Sequence, residues 1–115
     1  MTTITLHDPL RTLYDAILTL RRDPQSAPDG SRTARLLSQG RARMARKLGE
    51  EAIEVAIDAM RNDRAAVVLE SADLLYNLMV LLADLEIPPE EVMAEIERRA
   101  TLFGIAEKLP KSPLS

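Results

Sequence analysis

Five carboxylates in two short groups, Glu50, Glu51 and Glu54 and then Glu70 and Asp73, are the residues of this chain whose types and spacing can do chemistry. A helix turns about 100° per residue, so Lys47, Glu51, Glu54 and Asp58 fall within roughly 60° of one another. They border a face made by Leu48, Ala52, Val55, Ala56, Ala59 and Met60. The same arithmetic aligns Glu70, Asp73, Asn77 and Asp84 beside Leu74, Leu75, Leu78 and Leu81. Carboxylates thus stand where each helix should meet its core. If the stripes face each other, each like-charged pair at about 4 Å repels by about 4 kcal/mol at intermediate dielectric, and a cation makes the arrangement tolerable. Oxygen donors with no Cys or His beside them select Mg²⁺, or alternatively Mn²⁺, and these ions partner phosphate substrates. The ordinary alternative is a solvated helix on which Lys47 and Glu51 form an i,i+4 pair worth a few tenths of a kcal/mol. A lone E-x-x-E reads that way; two acidic pairs on consecutive helices, both flanked by Leu and Val, point to metal.

The elements that must position these groups are helices. Asp8-Pro9 is a cap followed by proline at the first helical position, and Leu10, Leu13, Ile17 and Leu20 repeat at helical spacing up to Arg22. Turn formers from Pro24 to Gly30 predict a mobile loop, and Ser31 should cap a short helix through Leu36 and Leu37 that Gly40 stops. A long helix is expected from about Arg41 to Arg61 with Gly49 as a weak point, then a break at Asn62-Asp63. A second runs from Arg64 to about Glu86, apolar on nearly all sides. Pro88-Pro89-Glu90-Glu91 opens a last helix to Gly104 with Val92, Ile96 and Leu102 on its inner side. Residues 1–107 therefore read as one domain and 108–115, with Pro110 and Pro113, as a tail that is poorly ordered or lies across a neighbour. Tyr76 falls off the acidic stripe and is assigned to core or dimer-interface packing.

Composition fits an all-α helical bundle. Of 115 residues 46% are hydrophobic, but only Tyr14, Tyr76 and Phe103 are aromatic, so aliphatic side chains must fill a thin core. The apolar helix from Arg64 has too many greasy sides for one small subunit, and a homodimer is expected to complete the bundle. Net charge of −3 argues against nucleic acid as a partner. With no cysteine, no signal-peptide pattern and no uninterrupted apolar stretch of membrane-spanning length, the expectation is a cytoplasmic protein without a membrane partner.

The run Lys47-Leu48-Gly49-Glu50-Glu51-Ala52-x-Glu54-Val55, then Glu70-x-Ala72-Asp73-Leu74-Leu75-Tyr76, resembles the signature of the all-α nucleoside triphosphate pyrophosphohydrolases. With Ser31-x-Thr33-Ala34-x-Leu36, Gly40, Val80-Leu81-Leu82 and Pro89-Glu90-Glu91-Val92 through Glu97-Arg98-Arg99, it is most similar to the phosphoribosyl-ATP pyrophosphohydrolases of histidine biosynthesis. The resemblance implies Mg²⁺-dependent hydrolysis of phosphoribosyl-ATP to phosphoribosyl-AMP and pyrophosphate, the second step of that pathway, by a helical homodimer. It implies Glu51, Glu54, Glu70 and Asp73 as metal ligands, with Glu50 near enough to ligate or to orient water. All five are candidate catalytic residues. Lys47 is the candidate phosphate contact, Asn77 a partner for a phosphate oxygen or a metal-bound water, and Arg32, Arg35, Arg41 and Arg43 candidates to grip the phosphoribosyl phosphate, with Thr33 among the substrate-binding residues. Asp58 and Asp84 are read as surface or supporting groups. The chain departs from the family pattern at Arg32, usually Tyr, and at Asn77, usually His. Two other readings stand beside this one: a MazG-type enzyme that removes non-canonical nucleoside triphosphates, and a non-catalytic helical dimerisation module.

Overall fold

The structure, a computed structural model, describes residues 8–104 of the chain. Regular structure among the described residues is helical: α1 (Pro9–Arg22), a 3₁₀ turn (Pro24–Ser26), α2 (Arg32–Ser38), α3 (Arg41–Met60), α4 (Arg64–Asp84) and α5 (Pro89–Phe103). The expected tail from 108 onward lies outside the described residues.

Local chemistry sets these boundaries. The Asp8 carboxylate accepts from the amides of Leu10 and Arg11, Ser31 Oγ from Ala34, and Asp63 from Ala66, so three helices open on side chains that satisfy orphan donors. Gly40 takes φ +94° between α2 and α3, a conformation open to glycine without penalty. Asn62 supplies the left-handed residue that turns α3 into α4, and Gly104 does so after α5. Gly49 does not break α3, which runs through it from Arg41 to Met60. The Pro24–Gly30 segment holds a 3₁₀ turn where a featureless loop was expected.

α3 and α4 pack along their lengths as a helical hairpin, and α1 lies across the second half of α4. The core sits at that crossing: Tyr14 and Ile17 of α1, Met44 of α3, and Met79, Val80, Leu82 and Ala83 of α4 are buried, with Leu36, Leu37, Leu78 and Leu81 packed around them. α2 closes over the α3/α4 seam, and α5 leans on α1. By length and composition α4 is apolar enough to cross a membrane, although Glu70 and Asp73 interrupt its apolar run; it forms the shared wall of this core.

Leu82 lies in the core of the single subunit. One expectation about apolar faces needs correcting. On α5 Val92 reaches the core, whereas Ile96 and Leu102 are exposed, because α5 meets the bundle only near its start. The uncovered apolar surface lies at the far end of the hairpin instead, where Ile53 (61% exposed), Met60 (88%), Val68 (69%) and Leu69 (68%) have no neighbour among the described residues to shield them.

Ile17→Ala should lower the unfolding free energy by about 2–5 kcal/mol, whereas Leu102→Ala should change it by no more than about 0.5 kcal/mol. Urea melts of the two variants check this contrast.

Candidate metal and substrate site

Antiparallel packing of α3 and α4 brings the two acidic stripes together in register. Arg41 faces Asp84 at one end, and Glu51 faces Glu70 and Asp73 further along. Glu51, Glu70 and Asp73 each offer a carboxylate oxygen, and the three oxygens lie within 4.8 Å of one another. Glu51 is 7% exposed, its Oε1 taking the Lys47 ammonium at 3.2 Å. The second oxygens of Glu51 and Glu70 are buried without a hydrogen-bond partner. Such crowding disfavours ionisation. The neighbouring Glu51 carboxyl, then that of Glu54, then burial push the Glu70 carboxyl up to about 7. Glu54 is exposed and reaches the group through Glu70.

This arrangement fits a hard divalent cation. Two unpartnered buried carboxylate oxygens and a third acid within ligating distance supply oxygen donors alone, and a cation would relieve the repulsion that keeps a proton on Glu70. Glu50 does not join: it is exposed, about 100° around α3 from Glu51, and stands outside the group. Asp58 lies beyond Glu54, flanking Glu70 together with Arg61. Asp84 is held by Arg41 at 2.7 Å and by Arg21 at 3.5 Å, an ion-paired tie between α1, α3 and α4. Arg41 is thereby committed, and it is not among the residues that line the neighbouring cavity.

That cavity opens one turn from the carboxylates. Arg32, Arg35, Arg43, Lys47, Tyr76 and Asn77 are among its lining residues. Asn77 is 3% exposed; its Nδ2 donates to the Asp73 carbonyl at 2.8 Å, and its Oδ1 has no partner. Thr33 lies behind the wall, its hydroxyl 2.6 Å from the Tyr76 hydroxyl, a bond that ties α2 to α4. Tyr76 also packs against the core, one of the two places expected for it, and its bond to Thr33 is a further contact that no spacing along the chain signals.

Known proteins resemble this chain over most of its length. Residues 13–100 match the family model described as phosphoribosyl-ATP pyrophosphohydrolase. A phosphoribosyl-ATP pyrophosphatase 2 of Rhodopseudomonas palustris is 57% identical over 91% of this chain and 78% of its own length. The protein of the same name from Bradyrhizobium diazoefficiens is 54% identical over 95% and 79%, and a phosphoribosyl-ATP pyrophosphatase of Methylobacterium nodulans is 50% identical over 84% and 91%.

A carboxyl that keeps its proton in the fold up to about pH 7, but loses it near 4.5 when unfolded, stabilises fully below the lower value and loses that contribution as pH rises through the higher one. The metal-free protein should therefore melt at progressively lower temperature from about pH 5 to about pH 8, and Glu70→Gln should flatten that slope. Calorimetric scans in chelator across this range check the sign.

Proposed function

The chain belongs to the phosphoribosyl-ATP pyrophosphohydrolase family, and on that premise we propose that it hydrolyses phosphoribosyl-ATP to phosphoribosyl-AMP and pyrophosphate. The observation that carries the reading is the convergence of Glu51, Glu70 and Asp73 within 4.8 Å on two antiparallel helices. Glu51, Glu70 and Asp73, with Glu54 beside them, would hold Mg²⁺ or Mn²⁺. When bound, such an ion neutralises charge on the phosphate oxygens and orders water.

The protein's own part is positional and acid–base. In the reaction the oxygen of a water forms a new bond to phosphorus while the bond between that phosphorus and the leaving pyrophosphate breaks, and no covalent enzyme intermediate is needed. A carboxylate of the group accepts the proton of the attacking water. Glu54 suits this task because it touches Glu70 yet remains open to solvent. Lys47, anchored on Glu51, presents an ammonium to phosphate from the same stripe.

The working form is read as a cytoplasmic homodimer. Support for the dimer comes from Ile53, Ile57, Met60, Val68 and Leu69, which form an exposed apolar end of the hairpin that a second copy would cover.

Incubation with phosphoribosyl-ATP and with a panel of nucleoside triphosphates, with Mg²⁺ present, tests the reaction. Pyrophosphate release from phosphoribosyl-ATP is expected; release from the triphosphates alone would overturn the assignment. Glu51→Gln and Asp73→Asn should each lower turnover at least about a hundredfold while the fold persists, since a ligand charge is lost and the shape kept. Millimolar Mn²⁺ should raise the melting temperature of the wild type and leave Asp73→Asn unmoved, because the site exists only in the folded state. Light scattering should give a wild-type dimer at micromolar concentration and a smaller species for Leu69→Lys.

A further inference from the structure

We propose that the α3/α4 seam fixes the direction in which the substrate lies: a phosphomonoester remote from the reacting anhydride enters the cavity under α2, and the anhydride lies at the carboxylates. This rests on the reaction proposed above and assigns the two ends of its substrate.

The cavity is cationic, and of its four cations Lys47 alone is compensated, by Glu51. Arg32, Arg35 and Arg43 line it with Lys47, and no carboxylate does. Among the described residues none of these three arginines is in an ion pair; Arg46, Arg61 and Arg64 are unpaired too, but they do not gather on one cavity as these three do, and Arg11, Arg21, Arg22, Arg41, Arg98 and Arg99 are all paired. In a chain of net charge −3, three guanidinium groups on one cavity without a counter-charge imply an anion from outside. Guanidinium forks match phosphate oxygens two at a time, and a terminal phosphomonoester carries up to two negative charges at neutral pH.

Size and floor narrow the ligand further. The cavity measures about 200 Å³, below the roughly 300 Å³ at which pockets for complete small molecules begin. That is room for a phosphorylated sugar, the part of the proposed substrate that lies remote from its anhydride. Leu36 and the Tyr76 ring give the sugar an apolar wall, and the bond from Tyr76 to Thr33 holds α2, with Arg32 and Arg35, over the seam. Asn77 lines the cavity as a buried amide whose Oδ1 lacks a donor.

The polarity of the seam supplies a ruler. Lys47 and Glu51 are one turn apart on α3, as are Asn77 and Asp73 on α4, and because the helices are antiparallel both steps run the same way, from cations to acids. Arg43 precedes Glu51 by eight residues, about 12 Å of helix. A molecule that spans the seam must carry two anionic groups separated by a comparable length. A nucleoside triphosphate, with one anionic end, leaves the cationic cavity unfilled.

Ribose 5-phosphate is the probe, with ribose as control, titrated by calorimetry and by amide NMR into the full chain without metal. Ribose 5-phosphate should bind and ribose should not. Arg32→Gln, Arg35→Gln and Arg43→Gln should each weaken binding about tenfold or more. Arg32 and Arg35 are exposed, so their variants fold, and all three should still bind Mn²⁺, whereas Asp73→Asn should lose Mn²⁺ and keep ribose 5-phosphate. A wild type that turns over phosphoribosyl-ATP but binds ribose and ribose 5-phosphate alike, or binds ribose 5-phosphate equally well in all three arginine variants, overturns the orientation and leaves the reaction standing. Loss of Mn²⁺ in the arginine variants would overturn the separation of the two ends. A wild type inert towards phosphoribosyl-ATP overturns both proposals.

Discussion

Like charge held against an apolar seam is the constraint on which this structure turns. Glu51, Glu70 and Asp73 stand within 4.8 Å of one another because α3 and α4 pack tightly, and that packing is driven by the aliphatic side chains beside the acids rather than by the acids themselves. Repulsion raises the Glu70 carboxyl to about 7, and the Lys47 ammonium at 3.2 Å from Glu51 offsets part of it. A bundle that tolerates this arrangement at rest keeps three acidic oxygens gathered as a metal ion would need them, with little reorganisation left to do.

The rest of the fold serves to hold that seam. α1 covers the second half of α4 and buries Ile17 against Val80 and its neighbours, while Arg21 and Arg41 both reach Asp84 and fix the end of the hairpin remote from its turn. α2 is only seven residues long and adds little core. Its contribution is to suspend Arg32 and Arg35 above the seam through the bond between Thr33 and Tyr76. One turn of α3 separates the cationic cavity from the acidic group, with Lys47 common to both. Opposite charges side by side on one surface suit a substrate that is anionic at two places and needs metal at one of them.

The core explains why the hairpin leaves apolar surface open. Seven buried apolar residues gather where α1 crosses α4, and the turn end of α3 and α4 projects beyond them with Ile53, Met60, Val68 and Leu69 uncovered. The sequence shows that α4 carries an excess of apolar surface but not which part of it stays uncovered. Helical periodicity says which residues share a face, but which of those faces a neighbouring helix covers depends on where α1 crosses.

The sequence by itself determined the helices, their caps and the two acidic stripes, because each of these follows from interactions within a turn or two of the chain: Asp8, Ser31 and Asp63 satisfy nearby amides, and a period of 3.6 residues aligns Glu51 with Glu54 and Glu70 with Asp73. The motif residues also carried the family. Tertiary structure alone decided that Glu50 faces away while Glu51 is buried, and that Arg41 is spent on Asp84 while Arg32, Arg35 and Arg43 converge on one cavity. It alone decided that Tyr76 answers Thr33 across the seam and that Leu82 lies inside a single subunit. These outcomes depend on the register of one helix against another, which long-range packing sets and which no spacing along the chain contains.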